Sequence, residues 1–199
     1  MKEFWNERYQ QQEYVYGVNP NHFLAEQLSG IPHSGDILFP CEGEGRNAVF
    51  AAVSGWRVDA FDYSESGKTK ALQLAKKYEV NISYFISDAI HFDFGKEKYD
   101  VVAFIFAHFE PDIRAEIHQK AISSLKPGGR IIIEAFNPLQ LNYNSGGPKD
   151  LNMLYTEQIL RLDFQQLDIQ ILETKVVDLD EGLFHRGKAD VIRLLAINN

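Results

Sequence analysis

A glycine-containing segment near residue 43 combines residue types suited to binding a nucleotide-like cofactor. Gly43 and Gly45 follow a short apolar run and precede a helical pattern that begins at Ala48. Glycine adopts backbone angles closed to other residues, so a ligand can approach the main chain there. Asp62 ends the next apolar run, about 20 residues downstream, where a carboxylate can bind ribose hydroxyls. The spacing is typical of a site for a dinucleotide or another adenosine-containing cofactor.

The charge of this segment distinguishes two classes of ligand. Glu42 and Glu44 would oppose the pyrophosphate of a dinucleotide, with Arg46 alone to compensate. S-adenosylmethionine has no phosphate and carries a sulfonium and an ammonium against one carboxylate, so an acidic turn suits it. Asp88 follows the third predicted strand and could accept the amino group of adenine. The alternative for Asp62 and Asp88 is that they cap the helices or turns that follow them.

The fourth predicted strand ends near Phe106 and is followed by His108. Open α/β sheets place their reacting groups at this end of the strands. An imidazole titrates near neutrality, so His108 could take a proton from a thiol, hydroxyl or amine. The alternative is a buried polar side chain that bonds to neighbouring backbone.

The amino-terminal segment, residues 1–30, is rich in aromatic residues and is predicted to cap the cofactor site. Tyr9, Tyr14 and Tyr16 could exclude water from a reaction chamber, and aromatic faces attract a sulfonium cation. Arg8 could bind an anionic substrate or the carboxylate of the cofactor. An amphipathic helix docked on the sheet and a surface ion pair at Arg8 are the alternatives.

A long polar segment, residues 136–148, follows the fifth predicted strand. Long loops at this end of a sheet usually carry specificity, so Asn137 and Tyr143 are candidate substrate contacts. Flexibility without a function is the competing interpretation.

Short apolar runs alternate with amphipathic segments, a pattern that predicts an α/β fold with a mainly parallel sheet and helices on both faces. The predicted strands are Asp36–Phe39, Arg57–Asp62, Ile82–Ile86, Tyr99–Phe106 and Arg130–Phe136. The predicted helices are Ala48–Ser54, Glu65–Tyr78 and Pro111–Leu125. Leu167–Leu179 and Lys188–Ile197 are separated by too few residues for a crossover helix, so we expect an antiparallel hairpin at the carboxyl end.

Length and composition narrow the function further. A chain of 199 residues with one cysteine and a net charge of -8 predicts a single domain, residues 1–199, in a reducing, cytoplasmic compartment. Nucleic acid is disfavoured because no basic cluster is present, and a membrane location because the longest apolar run is far short of a membrane span. The six histidines, at 22, 33, 91, 108, 118 and 185, lack metal-ligand spacing, so no metal is expected. We expect the partner to be a small-molecule acceptor substrate, and the protein to be a monomer or a homodimer.

Five motifs taken together resemble the class I S-adenosylmethionine-dependent methyltransferases over nearly the whole chain. They are Glu42-Gly43-Glu44-Gly45-Arg46-Asn47-Ala48, Asp62-Tyr63-Ser64, Asp88-Ala89, Tyr99-Asp100-Val101-Val102 and Leu125-Lys126-Pro127-Gly128-Gly129. Two amino-terminal motifs resemble the small bacterial tellurite and thiopurine methyltransferase-like group: Phe4-Trp5-Asn6-Glu7-Arg8-Tyr9 and Tyr14-Val15-Tyr16-Gly17.

The resemblance implies a Rossmann-like sheet of seven strands in the order 3-2-1-4-5-7-6. It places S-adenosylmethionine across the carboxyl ends of the first strands. The expected cofactor contacts are Glu42, Gly43, Gly45, Asn47, Asp62, Tyr63, Asp88, Ala89 and Phe106. The chain departs from the family pattern at Phe39, where an acidic residue is usual, and at Cys41, where a glycine is usual.

The sequence thus predicts transfer of a methyl group to a small acceptor such as a thiol or a chalcogen oxyanion. Two alternatives stay open. A nicotinamide-dependent oxidoreductase would fit the local glycine fingerprint, and a non-catalytic S-adenosylmethionine-binding protein would fit the departures at Phe39 and Cys41.

Overall fold

The computed structural model describes residues 2–32 and 34–199. The helices are α1 (Lys2–Tyr9), α2 (His22–Ser29), α3 (Arg46–Val53), α4 (Glu65–Lys77), α5 (Pro111–Ser123) and α6 (Glu157–Asp163). The strands are β1 (Asp36–Pro40), β2 (Arg57–Asp62), β3 (Ser83–Ile86), β4 (Tyr99–Ile105), β5 (Leu125–Phe136), β6 (Asp168–Asp180) and β7 (Arg186–Ile197). Short 3-10 helices span Pro138–Asn142 and Leu151–Met153.

Within the described residues the strands form one seven-stranded sheet in the order β3-β2-β1-β4-β5-β7-β6. The first five strands pair in parallel, whereas β7 pairs antiparallel with both β5 and β6. The predicted strand order and the predicted carboxyl-terminal hairpin are therefore confirmed. The carboxyl ends of β1, β2, β4 and β5 meet at one edge of the sheet, and this edge carries the candidate site.

Side chains of β1 alternate between two hydrophobic layers, as a strand period of two requires. Ile37 and Phe39 pack with residues of α2, α3 and α4, whereas Leu38 packs with residues of α5 and α6. All three β1 side chains are fully buried. Helices thus cover both faces of the sheet, which explains why the parallel strands are apolar throughout.

Most sequence-based bounds differ from the structure by no more than two residues, and the larger differences concern β5, α2 and α6. The strand after α5 begins at Leu125 rather than Arg130, because the segment with the Pro127-Gly128-Gly129 turn already pairs with β4 through a register shift. The helices α2 and α6 were not among the predicted elements. The signal for α6 is Thr156, whose hydroxyl accepts a hydrogen bond from the backbone of Ile159 as an N-cap.

Among the described residues, no helix is long and apolar enough to span a bilayer.

A buried polar cluster joins three elements beneath the candidate site. The Nε of Arg193 on β7 donates to Glu134 on β5 across 2.5 Å, and both side chains are almost fully buried. The side chain of Asn21 donates to the other oxygen of Glu134 at 2.6 Å, while its own oxygen caps α2 through the Leu24 amide. The start of α2 is therefore fixed against the central strands by hydrogen bonds shielded from water.

We expect Glu134→Ala to lower the free energy of unfolding by about 3–5 kcal/mol, because it leaves the Arg193 guanidinium buried without its carboxylate. Urea denaturation measures this. Glu116→Ala is the control, since Glu116 forms an exposed helical pair with Lys120 and should cost less than about 1 kcal/mol. Equal losses in the two variants would contradict the assigned role of the buried pair.

Candidate functional site

A cavity of about 590 Å³ lies at the carboxyl edge of the sheet. Its floor includes Glu42 after β1, Asp62 at the end of β2, Phe106 after β4 and Phe136 at the end of β5. Its cover includes Trp5 and other residues of α1. The volume lies within the range of roughly 300–1,000 Å³ typical of sites for small molecules and cofactors.

The two glycines of the turn after β1 are required by close packing. Both have positive φ, +63° at Gly43 and +87° at Gly45. A Cβ at Gly43 would lie 2.6 Å from the hydroxyl of Tyr9, and one at Gly45 would lie 2.5 Å from the Cβ of Ala71. The structure therefore places both glycines against α1 and α4, just outside the cavity wall.

Two carboxylates in the cavity wall form no ion pair with a described residue. Glu42 accepts hydrogen bonds from the backbone amides of Asn47 and Ala48, and Asp62 accepts them from the amides of Gly43 and Ser64. Burial raises the pKa of Glu42 to about 7 and that of Asp62 to about 6. Both carboxylates are therefore poised to gain a cationic partner, because a nearby positive charge would favour their ionised forms.

The other charged residues of the turn are already paired, which corrects the charge count made from the sequence. Glu44 binds the Nζ of Lys70 at 2.6 Å, and Arg46 binds Glu181 at 2.6 Å. Neither partner, Lys70 or Glu181, is close in sequence to the turn, so these ion pairs are not evident from the sequence. The acidic character of the cavity at this turn comes from Glu42 and Asp62.

Two non-glycine residues in the cavity wall have positive φ. Cys41 has φ +56° and Phe106 has φ +53°, in the left-handed region that side chains rarely adopt. The value at Cys41 explains the glycine usual at this position in the family that the sequence resembles, since a glycine adopts that angle without strain. Backbone strain of this kind clusters at ligand sites, where the surrounding structure holds it in place.

Some of the remaining predicted cofactor residues line the cavity, and the others lie outside its wall. Asn47 and Tyr63 line the cavity, as does Phe106. Asp88 and Ala89 do not line the cavity. The carboxylate of Asp88 accepts hydrogen bonds from the backbone amides of Ile90 and His91 and also contacts the His91 ring. Asp88 thus caps the turn after β3, as the alternative interpretation of the sequence stated.

The predicted substrate contacts in the amino-terminal segment also divide. Arg8, Tyr9 and Tyr16 line the cavity, and the Nη1 of Arg8 donates to the Tyr16 hydroxyl at 2.8 Å. Tyr14 lies outside the wall, where its hydroxyl donates to the backbone oxygen of Lys70. The segment therefore covers the cavity with one face of α1 and with the turn that follows it.

In the segment after β5, the structure places Asn137 and Tyr143 outside the cavity wall. The Asn137 side chain is buried and donates to Asp190 and to the backbone oxygen of Val191. Residues further along the same connection, Gly147–Asp150 and Met153, line the cavity instead. The segment contributes to the site, but through residues that the sequence analysis did not select.

His108 lines the cavity with both ring nitrogens already bonded. Its Nδ1 lies 2.7 Å from the backbone oxygen of Met153, to which it donates, and its Nε2 accepts from the amide of Phe136 at 3.2 Å. Burial lowers the pKa of His108 to about 4. These bonds leave neither nitrogen open to a substrate proton, so the geometry favours the alternative of a buried polar side chain.

His185, at the turn between β6 and β7, is a cavity residue that the sequence analysis did not select. Its ring is buried against Tyr16 and Phe106, each with a centroid separation of 4.5 Å. Its Nδ1 is buried, has no hydrogen-bond partner among the described residues and lies 3.8 Å from Glu181. An isolated histidine in a predicted hairpin turn carries no local signal, because the ring reaches the cavity through tertiary packing.

Among the described residues, no group of three or more His, Cys, Asp and Glu side chains is placed to hold a metal ion. His33, one of the six histidines considered, lies outside the described ranges.

We expect His108 to remain neutral, with its proton on Nδ1, from pH 5 to pH 8. A pKa of about 4 lies below this whole window, so the uncharged form dominates throughout. Long-range ¹H–¹⁵N NMR spectra of the histidine rings measure both tautomer and titration, with a His108→Gln variant to assign the signal. Titration of this ring between pH 6 and pH 7 would restore the prediction of a general base.

We expect stability to report the raised pKa of Glu42. Between about pH 5 and pH 7 the folded chain holds a proton on Glu42 that the unfolded chain has released, so the free energy of unfolding falls as pH rises. Glu42→Gln removes this contribution. Relative to the natural chain, the variant should gain up to about 3 kcal/mol between pH 5 and pH 8.

Urea denaturation across this pH range is the measurement. Glu7→Gln on the exposed face of α1 is the matched control. Parallel stability curves for Glu42→Gln and the natural chain would show that Glu42 ionises normally.

Comparisons with known proteins agree with this geometry. Residues 37–129, which span β1 to the start of β5, match the family model for a methyltransferase domain. No curated protein matches the chain. Several solved structures align with the whole chain at 15–16% sequence identity.

TehB from Haemophilus influenzae matches all of this chain and 67% of its own, with 16% identity and a TM-score of 0.73. Magnesium protoporphyrin IX methyltransferase from Synechocystis PCC 6803, with bound SAH, matches 100% of this chain and 97% of its own, with 15% identity and a TM-score of 0.74. A third protein was studied for conversion of a disulfide bond into a thioacetal group during echinomycin biosynthesis. It matches 100% of this chain and 92% of its own, with 15% identity and a TM-score of 0.80. Residues 37–129 therefore resemble a methyltransferase domain, and the chain has the fold of these solved methyltransferases.

Proposed function

We propose that the protein transfers a methyl group from S-adenosylmethionine to a small-molecule acceptor. The observation that carries this proposal is the pair of carboxylates, Glu42 and Asp62, that face the cavity of a methyltransferase domain without cationic partners. A ligand with an ammonium, a sulfonium and a ribose diol supplies both the charge and the hydrogen-bond donors that these carboxylates lack.

The residues present fit this cofactor. Asp62 uses its two oxygens to accept backbone amides and retains further lone pairs for ribose hydroxyls. Glu42 is held at the start of α3 by two amides, so its position is fixed before the ligand arrives. Asn47 and Tyr63 complete this part of the wall. Asp88 is left without a cofactor role in this proposal, because its carboxylate already caps a turn.

Bound S-adenosylmethionine supplies an electrophilic methyl group with its leaving group already attached. The protein must then align the acceptor and exclude water, and good alignment alone can contribute roughly 7–11 kcal/mol. Residues 2–30 serve as the cap in this proposal, because Phe4, Trp5 and Tyr9 place an aromatic cover over the cavity. The acceptor lies beyond the carboxylates, toward Phe106, Phe136 and His185.

This arrangement favours an acceptor that reacts without a strong general base. His108 is committed to two backbone bonds, and burial lowers the pKa of His185. A nucleophile that is already an anion needs no proton removed when it attacks, so thiols of low pKa and other anionic nucleophiles are the acceptor classes we favour.

The nicotinamide alternative is disfavoured by charge. Neither Lys70 nor Arg46 is available to a pyrophosphate, since Glu44 and Glu181 neutralise them. Glu42 would lie against the phosphates, and both cations of its surroundings, Arg46 and Lys70, are already neutralised. The non-catalytic alternative differs from our proposal in turnover alone, so release of S-adenosylhomocysteine in the presence of a panel of acceptors separates the two.

We expect isothermal titration calorimetry to detect binding of S-adenosylmethionine and S-adenosylhomocysteine but not of NADH. Asp62→Asn should weaken the binding of S-adenosylhomocysteine by about tenfold or more, because a neutral amide loses the charge-assisted bonds to the ribose. Asp59→Asn is the matched control: it lies on the same strand, where its carboxylate binds Lys98 and the Tyr99 hydroxyl outside the cavity.

Binding of NADH with no response to either adenosyl ligand would refute the proposed function. An unchanged affinity in folded Asp62→Asn would remove Asp62 from the cofactor site while leaving the activity open to direct assay.

A further inference from the structure

The wall of the cavity carries groups of opposite charge. After β1 and β2 it presents the carboxylates Glu42 and Asp62, which form no ion pair with a described residue. From α1 it presents Arg8, which also forms no ion pair with a described residue and whose guanidinium packs against Phe184 of the turn between β6 and β7.

Arg8 is held in place without being neutralised. Its guanidinium carbon lies 4.3 Å from the centre of the Phe4 ring, 5.1 Å from that of Trp5 and 4.6 Å from that of Phe184. Aromatic faces attract a cation but leave its charge in place. Among the hydrogen bonds of the described residues, one of the five N–H groups of Arg8 is used, in the bond to Tyr16. The remaining donors have no acceptor among the described residues.

The bond from Arg8 also determines what Tyr16 can do. Because the Tyr16 oxygen accepts from Arg8 at 2.8 Å, its own O–H proton is available to donate. No described residue accepts it. A guanidinium and a hydroxyl that share one bond and both line the cavity form a pair of donors suited to a carboxylate or another anionic group.

Apolar rings adjoin this pair. The Tyr16 ring packs on His185 and Phe184, and Phe106 stacks on Phe136 with centroids 4.6 Å apart. Lys149 and Asp150, exposed neighbours in the same wall, carry opposite charges. The immediate surroundings of Arg8 are thus aromatic.

We propose that the methyl acceptor is an organic anion with an aromatic or apolar body, bound through its anionic group by Arg8 and Tyr16. This inference rests on the proposed function, in which the carboxylate side of the same cavity holds the cofactor. The opposite charges of Arg8 and the two carboxylates then orient the two ligands, since a cationic cofactor and an anionic acceptor are each repelled by the groups that bind the other.

The test uses benzoate and benzamide, two probes of nearly equal shape that differ in charge, with selenite as an inorganic oxyanion. Calorimetry is performed on the full chain with and without S-adenosylhomocysteine. We expect benzoate to bind at least about tenfold more tightly than either other probe. Arg8→Gln should abolish the preference for benzoate over benzamide, and Arg8→Lys should retain part of it.

Tyr16→Phe keeps the ring and removes the hydroxyl, so it should weaken benzoate several-fold even if Arg8→Gln disturbs the cap. Arg161→Gln is the matched control, because Arg161 is an exposed arginine of α6 that does not line the cavity. It should leave the binding of benzoate unchanged.

Equal affinity for benzoate and benzamide would overturn the anionic class, and equal affinity for benzoate and selenite would overturn the apolar body. If Arg8→Gln lowers the affinities for S-adenosylhomocysteine and benzoate equally, Arg8 is instead assigned to the carboxylate of the cofactor. Absence of benzoate binding beside normal S-adenosylhomocysteine binding would refute this inference and leave the proposed function intact. If S-adenosylhomocysteine fails to bind, the benzoate series without it still decides whether Arg8 and Tyr16 form an anion site, while the assignment of that anion as a methyl acceptor falls with the proposed function.

Discussion

The site depends on a set of buried ion pairs that tie distant segments to the turn after β1. Glu44 holds Lys70 of α4, and it also accepts the backbone amide of Tyr16. Arg46 holds Glu181 of the turn between β6 and β7. A buried pair that loses one partner leaves an uncompensated charge, which costs several kcal/mol. The cap and the carboxyl-terminal hairpin are therefore fixed to the same turn that receives the cofactor in our proposal.

This arrangement separates two tasks that the sequence presents together. Glu42, Glu44 and Arg46 occupy alternate positions and all line the cavity, yet Glu42 forms no ion pair with a described residue whereas the other two bind structural partners. The glycines between them permit the tight turn that sends neighbouring side chains in different directions. A local motif therefore contains residues for the ligand and residues for the scaffold, and spacing alone does not separate them.

The hairpin and the position of Asp62 in the cavity wall could be predicted, because apolar runs and strand ends are local signals that topology preserves. The strand order and the position of Tyr63 followed instead from the resemblance to a known family. Other features depend on distant contacts. The commitment of His108 to Met153 and Phe136, and the entry of His185 into the wall, arise from tertiary packing across the sheet edge. Asn137 and Tyr143 were placed on the correct connection, but the direction of each side chain depends on how that connection folds.

A methyl donor with a built-in leaving group changes what a protein must provide. When the reaction needs no strong acid or base, an imidazole with both nitrogens bonded is no obstacle to activity, and discrimination passes to the groups that bind the acceptor. In our proposal those groups are the aromatic-flanked Arg8 and the hydroxyl of Tyr16. Unpaired polar groups of this kind penalise any ligand that fails to satisfy them, so they select the acceptor more sharply than shape alone.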